Sequence, residues 1–138
     1  MPGILTDELW EPYTLVVLPG DGANTDRIID PLTAAEVAAG SRLEILDMYV
    51  SLTTGTTTLD VRIGFGATTT PALGASAAAV RGLIFHRAGM AAPEYLPAIP
   101  GRGRLTAGAT QRLRLTTSAA VVGGQLIISY LGHIRRGR

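Results

Sequence analysis

Residues 111–134 read QRLRLTTSAAVVGGQLIISYLGHI, and this stretch decides the class of fold. Leu113 and Leu115 alternate with Arg112, Arg114 and Thr116. Further on, Leu126, Ile128 and Tyr130 fall on one face, and Ile127, Ser129 and Leu131 on the other. Successive side chains of a strand point to opposite sides, so strict alternation marks a strand with one buried face. Gly123 and Gly124, between the two runs, permit the positive φ angles of a tight reversal. The stretch predicts a β-hairpin in an antiparallel sheet.

Working outward, the same grammar recurs. Residues 42–53, RLEILDMYVSLT, alternate, but the apolar set changes face near Asp47, which predicts a bulge or bend. After the polar turn TTGTTT, residues 57–65 carry the cleanest alternation in the chain. Leu59, Val61, Ile63 and Phe65 share one face, and this run is expected to pair with 42–53. Residues 80–87, VRGLIFHR, read as another strand, and Leu105 as the start of a short one. Residues 13–18, YTLVVL, form a continuous apolar strand, expected to be buried on both faces or near an interface. Pro19-Gly20-Asp21-Gly22 ends it with turn chemistry.

Residues 25–32 form a short strand broken by Pro31. Residues 30–40, DPLTAAEVAAG, have two readings. Asp30 as N-cap, Pro31 in the first turn and Gly40 beyond the end would frame a short helix; alternatively, 38–41 is a hairpin turn. Residues 66–79 are an exposed Gly/Ala/Thr loop, and 88–103, with Pro93, Pro97 and Pro100, an irregular excursion. The sum is seven or eight strands and at most one short helix: all-β, an antiparallel β-sandwich, jelly-roll-like. The expected organisation is an N-terminal arm (1–12), a sandwich domain (13–134) and a basic C-terminal tail (135–138).

Composition narrows the function classes. Ile, Leu, Val and Phe number 37 of 138 residues, too many for a disordered chain. The absence of cysteine removes disulfides, Cys-ligated zinc and thiol catalysis. No apolar run has the length of a membrane helix, and the N-terminus is acidic where a secretory signal is basic. No membrane partner and no cofactor are expected.

Charge is segregated along the chain. Residues 1–60 hold ten acids and two arginines; residues 61–138 hold ten arginines and one acid, Glu94. Either the two halves neutralise each other within the fold, or the charges face a neighbouring subunit or another charged partner. Nucleic acid binding would call for arginines interleaved with exposed aromatics, and the chain has only seven aromatic residues. Direct nucleic acid contact is therefore not expected.

The chemistry of catalysis is hard to assemble. His86 and His133, with Glu94 as carboxylate, lack metal-ligand spacing. Asp21, Asn24 and Asp26 fit a turn better than a calcium loop, which would need a closing bidentate Glu. No serine sits in a nucleophile elbow, and IGFG at 63–66 lacks the following glycine and helix of a phosphate loop. An enzyme is not expected.

The segments DVRIGFGATTTPA (60–72), GLIFHRAGMAAP (82–93) and QRLRLTTSAAVVGGQLIISYLGHI (111–134) are similar in texture to small β-sandwich virion proteins of tailed bacteriophages. These are the head decoration (cement) class and related fibre-tip modules. The resemblance spans about residues 40–134 and carries over no functional residue. It implies a virion protein made in the host cytoplasm, a homotrimer that clamps the major capsid protein. The alternative is a fibre or spike module that binds a receptor or glycan, with Tyr95 as its aromatic. The expected subunit or capsid contacts are Leu5, Leu9 and Trp10 of the arm, Arg112 and Arg114 of the basic strand, and Arg135, Arg136 and Arg138 of the tail.

Overall fold

In the computed structural model, residues 9–21, 27–54, 58–67, 83–98 and 104–137 are described. Among them lie β1 (Glu11–Val17), β2 (Arg27–Ile28), α1 (Ala34–Ala38), β3 (Arg42–Leu52) and β4 (Leu59–Ala67). There follow β5 (Leu83–Met90), β6 (Glu94–Pro97), β7 (Leu105–Thr106), β8 (Gln111–Thr117) and β9 (Leu126–Arg135). The strands form two antiparallel sheets. Sheet A runs β1-β9-β3-β6, with β7 following β6 along the same edge of β3; sheet B runs β2-β8-β4-β5.

The pairings are nested. β4 pairs with β5, β3 with β6 and β7, β2 with β8, and β1 with β9. Such nesting is what a chain gives when it folds as one long antiparallel hairpin and then rolls up. The rolling adds the contacts β3–β9 and β4–β8 and leaves alternate strand pairs in opposite sheets. The architecture is an all-β sandwich of jelly-roll topology.

Two expected hairpins are corrected by this topology. β8 lies in sheet B and β9 in sheet A, so residues 118–125 cross between sheets instead of turning back within one. β3 and β4 are likewise in different sheets and do not pair. Alternation identifies which face of a strand is buried, but it is silent on which strand lies alongside. For β1, burial on both faces is corrected. β1 is an edge strand, with Pro12, Thr14 and Val16 exposed and only Val17 fully buried.

The inner faces meet in one core. Met48, Val50 and Leu52 of β3 and Leu126, Ile128 and Tyr130 of β9 oppose Val61 and Ile63 of β4 and Leu113 and Leu115 of β8. The expected change of face in β3 is present: the β3–β9 register shifts between Ile45 and Asp47, and the extra residue, Leu46, is exposed. Residues 30–40 do contain a helix, but its N-cap is Thr33, with a complete capping box to Glu36. Asp30 is not free to cap it, because its carboxylate accepts from Arg112 and from the Leu32 and Leu113 amides. Gly40, just beyond the end, takes φ +96°.

Tyr130 carries a polar tip into this core. Its hydroxyl donates to the Ile29 carbonyl at 2.9 Å, joining β9 to the segment after β2. Burial, with the nearby Asp30 charge second, pushes its pKa well above the ordinary phenol value. The folded state thus keeps the proton at a pH where the unfolded chain has released it. The associated stability is complete below about pH 10 and falls as pH rises beyond that. Tyr130→Phe is expected to cost about 1 kcal/mol near neutrality, through the orphaned carbonyl, and to flatten the alkaline decline. Denaturation midpoints at pH 8 and pH 11 check this; equal losses in variant and parent would remove Tyr130 from the account.

Candidate functional site

The central part of the outer face of sheet A carries little charge. It follows from alternation: with Tyr13, Leu15 and Val17 turned inward, β1 presents Pro12, Thr14 and Val16. By the same reasoning β9 presents Ile127, Ser129 and Leu131, β3 presents Asp47, Tyr49 and Ser51, and β6 presents Tyr95 and Pro97. The register aligns them in rows: Val16, Ile127, Ser51 and Tyr95; then Thr14, Ser129, Tyr49 and Pro97; then Pro12, Leu131 and Asp47. Asp47 is the single ionisable carboxylate in these rows, and it accepts from the Met48 amide at 2.9 Å.

Tyr49 and Tyr95 stack across the strand pair with ring centroids 5.4 Å apart, and Tyr95 is 66% exposed. Beside them is a depression of about 310 Å³. Pro12, Thr14, Asp47, Tyr49, Ser129 and Leu131 line it, and the Thr14 and Ser129 hydroxyls lie 3.4 Å apart across it.

One end of the same face is basic and closed by the N-terminal segment. Glu44, opposite His133 in the ladder, is buried and accepts from the Thr106 hydroxyl at 3.0 Å. Its oxygens also lie 3.9 Å from Arg104 and 3.8 Å from His133 Nε2. His133 Nδ1 is 3.1 Å from the Leu9 carbonyl. The Trp10 ring packs 5.4 Å from the His133 ring, with the Arg104 guanidinium 5.1 Å from the Trp10 centroid. Carboxylate, hydroxyl, imidazole and guanidinium thus anchor Trp10 on its own domain.

The expected contact residues separate. Leu5 and Arg138 lie outside the described residues. Leu9 is 67% exposed, whereas Trp10 is half-buried in the cluster above. Arg112 and Arg114 are corrected: both are buried and unavailable to a partner surface. Arg112 is fixed by Asp30, at 2.8–3.2 Å, and by the Leu32 carbonyl. The Asp30 carboxylate raises its pKa further. Arg135 and Arg136 are exposed, and Arg136 pairs with Glu36.

Asp30–Arg112, Glu36–Arg136 and Glu44–Arg104 each join an acid of the first 60 residues to an arginine of the rest. Part of the charge segregation is therefore neutralised within the fold. Glu94 is committed to Arg87 by two bonds of 3.2 Å, which hold its carboxyl below the usual range. His86 is on β5 of sheet B and His133 on β9 of sheet A. No group of three or more metal-ligating side chains occurs among the described residues.

Sequence reading missed this face because its members are scattered over four strands, and only the register makes them neighbours. Tyr95 was the one legible member. Against known proteins, the chain matches no protein-family model and no curated protein, so the reading of this face rests on its own chemistry.

Proposed function

We propose that this chain is a structural virion protein, a homotrimeric jelly-roll domain that decorates and stabilises a tailed-phage head by protein–protein contact. The observation that carries the reading is the outer face of sheet A. Charge is depleted and tyrosine enriched at the cores of protein interfaces, and the three aligned rows of this face combine Val16, Ile127, Leu131, Tyr49 and Tyr95 with a single carboxylate, Asp47. The fold adds an analogy only: jelly rolls recur in capsid and lectin domains, and a fold does not fix a function. In this role there is no chemical step, and stabilisation comes from apolar burial repeated over many copies.

Heads lacking the protein are expected to open at lower temperature than complete heads and to fail in low salt that complete heads withstand, and purified protein to restore their resistance. The Tyr49→Asp/Tyr95→Asp variant, folded by circular dichroism, is expected not to. Equal resistance of heads with and without the protein refutes the reading. A second reading, a fibre or spike module for a glycan, is favoured by one observation: the exposed Tyr49–Tyr95 pair borders the Thr14, Asp47 and Ser129 depression. Silence on a glycan array counts against it.

A further inference from the structure

At the far end of the β3–β9 ladder the register places Arg42 directly opposite Arg135. Residues so opposed have Cβ atoms about 5 Å apart, and like charges in that position repel. Nothing described in the fold offsets the repulsion. Neither guanidinium has a hydrogen-bond or ion-pair partner among the described residues. The nearest acid along β3 is Glu44, which is buried and engaged by Thr106, Arg104 and His133. The nearest acid of α1 is Glu36, which is engaged by Arg136 and the Thr33 amide.

A third guanidinium and an opening complete the arrangement. Arg42, Arg135 and Arg136 line, together with Gly40, an open depression of about 270 Å³. The tail is held in place there. The Gly137 amide donates to the Ser41 hydroxyl at 3.1 Å, and a Cβ on Gly137 would sit 2.1 Å from the Ala39 carbonyl oxygen. The guanidinium groups are thus carried by a strand end and a docked tail.

We propose that the Arg42–Arg135–Arg136 depression is a binding site for a phosphate oxyanion. Guanidinium forks donate in pairs to phosphate oxygens, and Arg is suited to this geometry. A phosphate dianion neutralises Arg42 and Arg135 at once, whereas a monocarboxylate leaves one uncompensated. The same chemistry is offered by free phosphate and by a nucleic acid backbone. The site stands whether or not the chain decorates a phage head.

The test titrates the full-length protein with inorganic phosphate at constant ionic strength, following the melting temperature and the heat of binding. Melting is expected to rise with phosphate and not with matched chloride. Arg42→Gln and Arg135→Gln are each expected to weaken phosphate binding at least tenfold, and the double variant to abolish it. Arg62→Gln, on β4 of the other sheet, serves as control and is expected to leave it unchanged. Without phosphate, Arg135→Gln is expected to melt no lower than the parent, because it relieves the opposed pair. A parallel arm uses a 20-nucleotide single strand. Binding tighter than phosphate and lost in the same double variant assigns the site to nucleic acid; binding of phosphate alone assigns it to the free ion. A melting rise equal to that in chloride, or one that persists in the double variant, overturns the proposal.

Discussion

Asp30→Ala is expected to destabilise the fold by about 3–5 kcal/mol, the loss typical of stranding one member of a buried ion pair. The side chain of Asp30 is 0% exposed and that of Arg112 is 6%, so solvent does not screen the interaction. The carboxylate accepts from Arg112 Nε and Nη2 and from the backbone amides of Leu32 and Leu113. Its removal leaves the guanidinium with the Leu32 carbonyl as its remaining acceptor among those described. The contact also fixes the segment between β2 and α1 against β8, one of the two inner strands of sheet B. Removing both charges tests the cause. Asp30→Ala combined with Arg112→Met is expected to cost less than Asp30→Ala alone, since no buried charge is left unpaired. Urea denaturation measures both. A loss below about 1 kcal/mol for Asp30→Ala would contradict the pair's structural role, and a double variant worse than the single would reassign the effect to packing.

Arg112 also shows where the sequence is legible and where it is not. The alternation over 111–117 correctly placed Leu113 and Leu115 in the core. It misplaced Arg112, Arg114 and Thr116, which read as a solvent face and are all buried. A central strand covered on both sides can carry polar residues wherever a partner arrives from a distant segment, and Asp30 lies 82 positions away. Periodicity over a short window does not hold that information. The bulge at Asp47, by contrast, was visible, because a one-residue insertion reverses the parity of every later side chain. The short strand at Leu105 was also visible, being a local event, and the helix ended by Gly40 was one of two readings of residues 30–40. Strand partners and the sheet A face were not. Both depend on the rolled topology, which a chain encodes through the whole set of buried surfaces competing for cover.

Gly124→Ala is expected to cost about 3 kcal/mol, as overpacking against fixed backbone does, and more than Gly123→Ala. The two adjacent glycines serve different purposes. Gly123 takes φ +76°, a left-handed conformation in which a side chain costs about 1–2 kcal/mol. Gly124 is needed for space. A Cβ there would lie 1.7 Å from the Thr54 carbonyl oxygen and 2.5 Å from its carbon. Thr54 follows β3 and Gly124 precedes β9, so this is where the two crossings between sheets lie against each other. The Thr53 amide donates to the Gln125 carbonyl at 3.0 Å, the Gln125 amide to the Thr53 hydroxyl at 3.1 Å, and the Thr54 hydroxyl to the Gly123 carbonyl at 2.8 Å. These bonds extend the β3–β9 ladder beyond Leu52 and Leu126. A methyl group at Gly124 must push the crossings apart and break them, and the inner contacts of Leu52 and Leu126 loosen in turn. Thermal denaturation of both variants separates conformational strain from steric exclusion. If Gly123→Ala costs as much as Gly124→Ala, the close approach to Thr54 is not what holds the crossings together.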